Sequence, residues 1–148
     1  MIADAGRDPA TVELGSFLSR PPATVWRFLT DPDLLARWLL RPKGFAASVG
    51  TRFTFPLPNP SAGQISCEVL AVRPAEQLTY TWHGRVDENP THWIVHWILH
   101  PEGRGTRFLV TQTGFDITHR RHKMARNAVE RSWTRALPRL DQALHHLS

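Results

Sequence analysis

The most regular hydrophobic pattern in the chain lies at its C-terminal end, between Phe115 and Ser148. Apolar residues recur there in steps of three and four, close to the 3.6-residue repeat of an α-helix, so they share one side. These residues are Ala125, Val129, Trp133, Ala136, Leu137, Leu140, Leu144 and Leu147. The opposite side carries Arg126, Glu130, Arg131, Arg135, Arg139, Asp141 and Gln142. The pattern predicts one long amphipathic helix, which needs a large apolar surface to pack on.

Pro138 falls inside this helical pattern. Its ring removes one backbone donor and crowds the carbonyl of Thr134, so we expect a bend there. The alternative is that Pro138 ends one helix and begins a second. We favour the bend because the apolar side continues past the proline without a change of phase.

One strand and two short helices are predicted in the N-terminal part of the chain. Residues 11–19 alternate in the manner of a strand. Pro21 and Pro22 suit the first turn of a short helix, for which Ser19 is a candidate N-cap. Asp31 can cap a second helix that begins at Pro32. The apolar sides of these helices consist of Val25, Trp26, Phe28 and Leu29, and of Leu34, Leu35, Trp38 and Leu39.

From Val49 onward the hydrophobic repeat changes to two, the repeat of a β-strand. Five strands are predicted, over residues 50–55, 64–72, 78–82, 92–100 and 106–113, with a bulge near Val69. Residues 56–61 and 84–90 read as loops, and residues 73–76 as a tight hairpin link. Strands joined by short turns form an antiparallel sheet, and strands followed by a separate helix indicate an α+β fold. We therefore predict a curved, antiparallel six-stranded sheet wrapped around the long C-terminal helix.

Composition is typical of a globular protein. The length of 148 residues predicts one domain over residues 11–148, preceded by a flexible N-terminus over residues 1–10. No run approaches the roughly 18 apolar residues that span a membrane. The first nine residues contain no apolar block, so no signal peptide is expected. The single cysteine, Cys67, suits a reducing compartment, and we expect a cytoplasmic protein.

The net charge of +5 raises the question of a nucleic-acid partner. The arginines are scattered along the chain, and only residues 119–123 form a basic block. A solvated basic surface is therefore favoured over a nucleic-acid-binding stripe.

No catalytic or metal-binding motif is present in the sequence. His92, His96 and His100 alternate along one strand, but positions four apart on a strand are about 13 Å from each other, too far for one metal ion. His119 and His122 could meet on one helical turn, although this segment could equally be a loop. We predict no metal and no cofactor. Cys67 reads as a small core residue because no base is evident beside it.

Several short segments together resemble the SRPBCC superfamily, in the branch named after activators of the ATPase of the ninety-kilodalton heat-shock protein. The segments are PATVW (22–26), LTDP (29–32), ARW (36–38), GTRFTF (50–55), EVLAVRP (68–74), GTRF (105–108), and Ser132-Trp133 followed by Leu137, Leu140 and Leu144. The matches extend over residues 12–147. Two departures concern the family pattern: Leu39 follows Trp38 where a second tryptophan is common, and Ser132 stands where glycine is common.

The resemblance implies the helix-grip fold of START-type and pollen-allergen-type proteins, with a hydrophobic cavity between the sheet and the last helix. It does not define a reaction, because members of one fold perform many functions. On the predicted inward face, Gln112 is the polar exception among apolar residues and Tyr80 adds a hydroxyl. An apolar pocket with a few polar groups is typical of a small-molecule site. The alternative is that the aromatic rings fill the interior and Gln112 bonds the backbone.

We therefore expect a small hydrophobic or aromatic ligand to bind in that cavity. The predicted ligand-binding residues are Trp38, Phe53, Phe55, Tyr80, Trp82, Trp93, Trp97, Phe108, Val110, Gln112, Met124 and Ala128. One alternative is a cyclase, hydrolase or dehydratase that uses Gln112 and Tyr80 as polarising groups. The other is a co-chaperone-like interaction module. Ile94, Ile98 and Leu109 on the outer face make a homodimer a reasonable further expectation.

Overall fold

The computed structural model describes residues 9–57, 63–86 and 89–147. Its elements are β1 (Val12–Leu18), α1 (Pro22–Thr30), α2 (Pro32–Leu35), β2 (Arg52–Pro56), β3 (Gln64–Arg73), β4 (Gln77–Trp82), β5 (Arg85–Val86), β6 (Asn89–Pro90), β7 (Trp93–Glu102), β8 (Gly105–Thr113) and α3 (Arg120–His145). The predicted α+β order is confirmed. The flexible end predicted for residues 1–10 and the loop predicted for residues 56–61 lie mostly outside the described residues.

Six of the strands form a curved antiparallel sheet in the order β1-β8-β7-β4-β3-β2. The first strand therefore pairs with the last, with Val12 opposite Gln112 and Leu18 opposite Thr106. Strands β5 and β6 pair only with each other, so part of the predicted loop over residues 84–90 is a short hairpin. Within the described residues, no helix combines the length and the apolar character needed to cross a bilayer.

The alternation predicted for the central strands is confirmed. In β7, the side chains of Trp93, Val95, Trp97 and Leu99 are buried, whereas those between them are at most partly covered. Fully burying a large apolar side chain contributes roughly 1.5–3 kcal/mol. The inward face of the sheet is therefore the main apolar surface against which the helices pack.

The bulge predicted in β3 is present, since the pairing register shifts between Val69 and Ala71. Leu70 is the extra residue and is 41% exposed. Beyond the bulge, Val72 pairs with Leu78 and packs against the core. The bulge thus returns Val72 to the inner side, as expected, but leaves Leu70 in solvent.

The two short helices differ in how they begin. Asp31 caps α2 as predicted, because its carboxylate accepts hydrogen bonds from the backbone N–H groups of Asp33 and Leu34. The N-cap predicted at Ser19 is wrong: α1 begins at Pro22, its N-cap is Pro21, and no side chain caps it. Ser19 lies too far upstream of the first helical turn to accept from its N–H groups.

The long helix α3 begins later than its hydrophobic pattern suggested, at Arg120. Before it, Phe115 packs against Trp93 with ring centroids 4.5 Å apart, and Asp116 accepts hydrogen bonds from Thr118. These contacts stabilise a non-helical turn before Arg120, where the sequence pattern predicted the first turn of the helix. The helix then continues through Pro138 as one element, so the alternative of two helices is wrong. Pro138 lies on the exposed side, where water can hydrate the carbonyl that its ring leaves without a donor.

Both ends of α3 are tied to the N-terminal part of the chain. The guanidinium of Arg126 donates to the backbone carbonyl of Thr11 at 3.0 Å, near the start of β1. At the other end, Arg20 donates to the carbonyls of Leu144 and Leu147 at 3.2 and 2.8 Å. Arginines at a helix C-terminus satisfy carbonyls that have no intrahelical partner. Hydrogen bonds near both ends of α3 therefore hold the helix across the sheet.

Candidate functional site

A cavity of about 500 Å³ lies beneath the middle of α3. Its walls come from the segment after α2, from the ends of β2, β4 and β8, and from one side of α3. The lining residues are Trp38, Leu39, Leu40, Leu57, Trp82, Gln112, Val129, Ser132, Trp133, Arg135, Ala136 and Arg139. Of the twelve residues predicted from the sequence, Trp38, Trp82 and Gln112 are brought together here.

The Trp38 indole forms the inner end of the cavity and is held in a fixed position. It is 1% exposed, and its Nε1 donates to the backbone carbonyl of Phe28 in α1 at 2.9 Å. Its ring lies 5.8 Å from that of Trp97 and 6.4 Å from that of Phe108, measured between centroids. A buried indole that is both hydrogen-bonded and packed against other rings makes a rigid wall.

Gln112 is the polar group of the inner wall, and it is 1% exposed. Its Oε1 accepts a hydrogen bond from Nε1 of Trp133 at 2.9 Å. Because an indole N–H can only donate, this bond fixes which end of the amide faces Trp133. Nε2 of Gln112 then has no hydrogen-bond partner among the described residues. Gln112, a lining residue, therefore carries an N–H donor group whose bonds are unmade, with less than 1 Å² of the nitrogen accessible.

Arg135 and Arg139 border the cavity at the exposed side of α3. Neither side chain forms a hydrogen bond or an ion pair with any residue that the structure describes. Arg139 also borders a neighbouring depression of about 270 Å³, together with Arg37, Gln142, Ala143 and His146. Neither lining contains a carboxylate, so the rim of the cavity is positively charged.

Most of the other predicted site residues pack on one another beneath the cavity and do not line it. Ring centroids in this group are about 5 to 6 Å apart, for example 5.2 Å between Tyr80 and Trp97 and 5.5 Å between Phe53 and Phe55. The members are Phe53, Phe55, Tyr80, Trp97, Phe108 and Val110, all buried. The rings thus fill the deep interior, and the open space is confined to one end of it.

The hydroxyl of Tyr80 belongs to this filled region. It is buried and has no hydrogen-bond partner among the described residues. Burial, and then the nearby Cys67, raise the pKa of Tyr80 well above its ordinary value. Burial also raises the pKa of Cys67 to about 12. Both groups are therefore neutral at physiological pH, and the Cys67 thiol is not a reactive thiolate.

Three predicted residues lie away from the cavity. Met124 is 59% exposed and Ala128 is exposed, whereas Val129 on the same helix lines the cavity. Trp93 begins β7, where it pairs with Trp82 and packs against Phe115, but it is not among the lining residues. The first turns of α3 therefore extend beyond the cavity, which lies under its middle turns.

Sequence reasoning missed several lining residues. Trp133 and Ala136 were assigned to the apolar side of the helix but not to the site. Leu39 was assigned to the apolar side of the second short helix but not to the site, Leu40 and Leu57 lie in segments without a repeat, and the arginines were assigned to solvent. The helical period could have found Trp133, Ala136 and Leu39, whereas no pattern in the sequence indicates the others.

The histidines lie apart from the cavity. Nδ1 of His83 and Nδ1 of His92 are 3.2 Å apart, and Nδ1 of His96 is 3.1 Å from the Thr79 hydroxyl. Among the described residues, no group of three or more His, Cys, Asp or Glu side chains is arranged to hold a metal ion.

Comparison with solved structures shows a common fold. A protein from Mesorhizobium loti, MLL2253, is 31% identical with a TM-score of 0.83, over 93% of this chain and 98% of that one. CalU16 from Micromonospora echinospora is 23% identical with a TM-score of 0.73, over 92% and 76%. The Aha1 dimer from Colwellia psychrerythraea is 20% identical with a TM-score of 0.75, over 92% and 96%. The last two similarities, below 25% identity, establish the fold alone.

Among curated proteins, none matches this sequence. The profile of one family does, and it spans residues 19–145, which include α1, all the lining residues of the cavity and the whole of α3. The resemblance drawn from the sequence segments is thereby confirmed. The chain belongs to the family described as activator of Hsp90 ATPase homolog 1-like proteins.

Proposed function

We propose that the protein binds a small hydrophobic or aromatic molecule in the cavity beneath α3. The observation that carries this proposal is the open, largely apolar cavity of about 500 Å³, whose lining includes Gln112 with its unpaired amide nitrogen. Leaving a buried donor without a partner costs about 1–3 kcal/mol. A guest with a carbonyl, ether or hydroxyl oxygen beside Nε2 would recover that cost.

The dimensions of the cavity support the same proposal. Small-molecule sites are usually concave, mostly apolar and about 300–1,000 Å³ in volume, with few polar groups. The cavity has about 500 Å³, and indole rings from Trp38, Trp82 and Trp133 contribute to its wall. Flat aromatic walls favour a guest with an aromatic ring, because stacked or edge-on ring pairs add about 0.5–1.5 kcal/mol beyond burial.

Binding without chemistry is favoured over a cyclase or hydrolase. The enzyme alternative needs Tyr80 and Gln112 to act on one substrate. Tyr80 is absent from the cavity lining and lies among packed rings. Gln112 alone can orient a guest, but an amide does not exchange protons at neutral pH.

Fluorescence of the neutral probe N-phenyl-1-naphthylamine tests the proposal. The probe is held at a low fixed concentration while the protein is titrated. We expect saturable binding with one site, together with a rise in melting temperature at excess probe, because a ligand of the native state stabilises it.

A matched pair of variants on α3 locates the binding. Val129→Phe places a ring in the cavity, whereas Ala128→Phe places the same ring one residue earlier on the exposed side. We expect Val129→Phe to weaken probe binding by about tenfold or more, equivalent to roughly 1.4 kcal/mol, and Ala128→Phe to leave it unchanged. Absence of saturable binding, or equal effects of both variants, would count against the cavity as the site.

Two further expectations complete the proposal. A homodimer stays a proposal, which analytical ultracentrifugation would test; Ile94, Ile98 and Leu109 on the outer face are partly rather than fully exposed. We also propose that the protein works in the cytoplasm, where Cys67, the single cysteine, would remain reduced.

A further inference from the structure

Two cations border the cavity, and they occupy neighbouring turns of the same helix. Arg135 and Arg139 are four residues apart on α3, and both contribute to the lining. Side chains at this spacing are neighbours on a helix surface. Two like charges so placed repel each other, so the pair is unfavourable unless an anion lies between them.

Some arginines elsewhere in the described chain have anionic partners. Arg41 pairs with Asp33, Arg107 with Glu102, and Arg126 with Glu130 in the preceding part of α3. The two rim arginines form no such pair with any described residue. What sets Arg135 and Arg139 apart from other unpaired arginines is that both line the cavity.

A third arginine approaches the rim from the segment after α2. Arg37 faces Arg139 across the depression of about 270 Å³, which also includes Gln142 and His146. No carboxylate lines the cavity or this depression, and Glu130, which borders a further depression beside Arg135, is already paired with Arg126. The apolar space thus opens beneath a cluster of unneutralised guanidinium groups.

We propose that the guest is an anionic amphiphile, namely an organic acid with an aromatic or alkyl body. This inference rests on the proposed function. The body occupies the apolar space against Trp38 and Trp82, and the carboxylate lies at the rim against Arg135 and Arg139. Guanidinium groups bind planar carboxylates through two parallel N–H···O bonds, which fixes the orientation as well as adding affinity.

The amide of Gln112 provides a second contact to the guest, in addition to the one at Arg135 and Arg139. An oxygen in the body of the guest accepts from Nε2 of Gln112, while the acid group remains at the opening. This arrangement leaves the charged end hydrated, so its desolvation cost is small. An acid that also carries an oxygen in its body should bind more tightly than a plain hydrocarbon, because it satisfies both the Gln112 amide and the guanidinium groups of the rim.

A pair of fluorescent probes separates charge from shape. N-phenyl-1-naphthylamine and 8-anilinonaphthalene-1-sulfonate share one ring framework, and only the second carries an anionic group, which stands in for a carboxylate. We expect the anionic probe to bind up to about fivefold more tightly, since one exposed ion pair is worth at most about that factor. The preference should shrink as salt screens the rim.

Two double variants of equal net charge assign the preference to the rim. Arg135→Gln/Arg139→Gln removes the proposed anion site, and Arg73→Gln/Arg104→Gln removes two positive charges from exposed residues outside the lining. The first should abolish the anionic preference, so that the ratio of anionic-probe to neutral-probe affinity falls to about one. The second should leave both affinities within about twofold of the parent protein.

The outcomes distinguish this inference from the function on which it rests. If the neutral probe binds in the cavity but the anionic probe binds no more tightly, the acid preference is overturned and the binding function stands. If both double variants lower anionic-probe affinity equally, the preference is a property of overall charge and the rim site is overturned. If neither probe binds, both proposals fail.

Discussion

Filling the cavity from within gives a quantitative test of whether the space beneath α3 is real. Ala136 is buried, belongs to the middle of α3 and lines the cavity. Ala136→Leu adds three carbon groups that point into about 500 Å³ of space. Leucine is nearly as good a helix former as alanine, so the backbone should not resist the change.

The expected magnitude follows from the area that the new atoms bury. Three buried carbon groups contribute roughly 2.4 kcal/mol at about 0.8 kcal/mol each. Fixing a leucine side chain costs about 0.5–1 kcal/mol of rotamer entropy. The net increase in the free energy of unfolding is therefore about 1.5 kcal/mol, which corresponds to roughly 3–6 °C in melting temperature for a chain of this size.

Urea unfolding followed by tryptophan fluorescence measures the change, and Ala128→Leu is the matched control. Ala128 lies on the exposed side of the same helix, so its substitution should change stability by less than about 0.5 kcal/mol. Ala136→Leu should also lower the affinity for N-phenyl-1-naphthylamine. A destabilisation of about 1–3 kcal/mol would instead be the signature of overpacking, and would refute the reasoning that the space is open.

Two further predictions concern buried polar groups. Gln112→Leu and Trp133→Phe each leave one partner of the 2.9 Å hydrogen bond unsatisfied. A double-mutant cycle of urea unfolding should therefore give a coupling free energy of about 1 kcal/mol, whereas additive effects would argue against the bond. Burial raises the pKa of Cys67 from 9.0 to about 12, so the unfolded chain loses this proton first, and stability should fall as pH rises above about 9. Urea midpoints between pH 7 and pH 10 should fall more steeply for the parent protein than for Cys67→Ala, and parallel curves would contradict the assignment.

The fold could be predicted because its determinants are periodic. The two-residue repeat of β7 and the 3.6-residue repeat of α3 each define one apolar side, and the structure buries both. Local capping chemistry was equally readable at Asp31, where a carboxylate precedes a proline at the first helical position. Ser19 shows the limit, since a good capping residue has no effect when the helix begins three residues later.

The division between cavity and filled core could not be read from the sequence. The alternation in β4 places Tyr80 and Trp82 on the same side, but Tyr80 packs among rings and Trp82 borders the open space. Whether aromatic rings interlock depends on distances and tilts between strands that no single-strand pattern encodes. The alternation therefore predicts which residues face inward. Only the folded structure shows which of them line the cavity and which pack in the core.

The charged rim was missed for a related reason. Arg135 and Arg139 fall on the polar side of the helical pattern, which indicated solvent and nothing more. A long arginine side chain at the edge of that side can reach the opening, because its aliphatic stem covers apolar surface while its head stays in water. The anion site proposed at the rim is thus a consequence of how α3 is seated on the sheet.

The central claim is that a guest enters the space beneath α3, and the indole N–H signals of the protein test it most directly. In a ¹H–¹⁵N correlation spectrum, each of the six tryptophans gives one such signal. On titration with N-phenyl-1-naphthylamine, the signals of Trp82 and Trp133 in the cavity wall should shift and saturate together. That of Trp26 in α1, which does not line the cavity, should stay in place. Binding that leaves Trp82 and Trp133 unshifted, or that shifts Trp26 instead, would contradict the account.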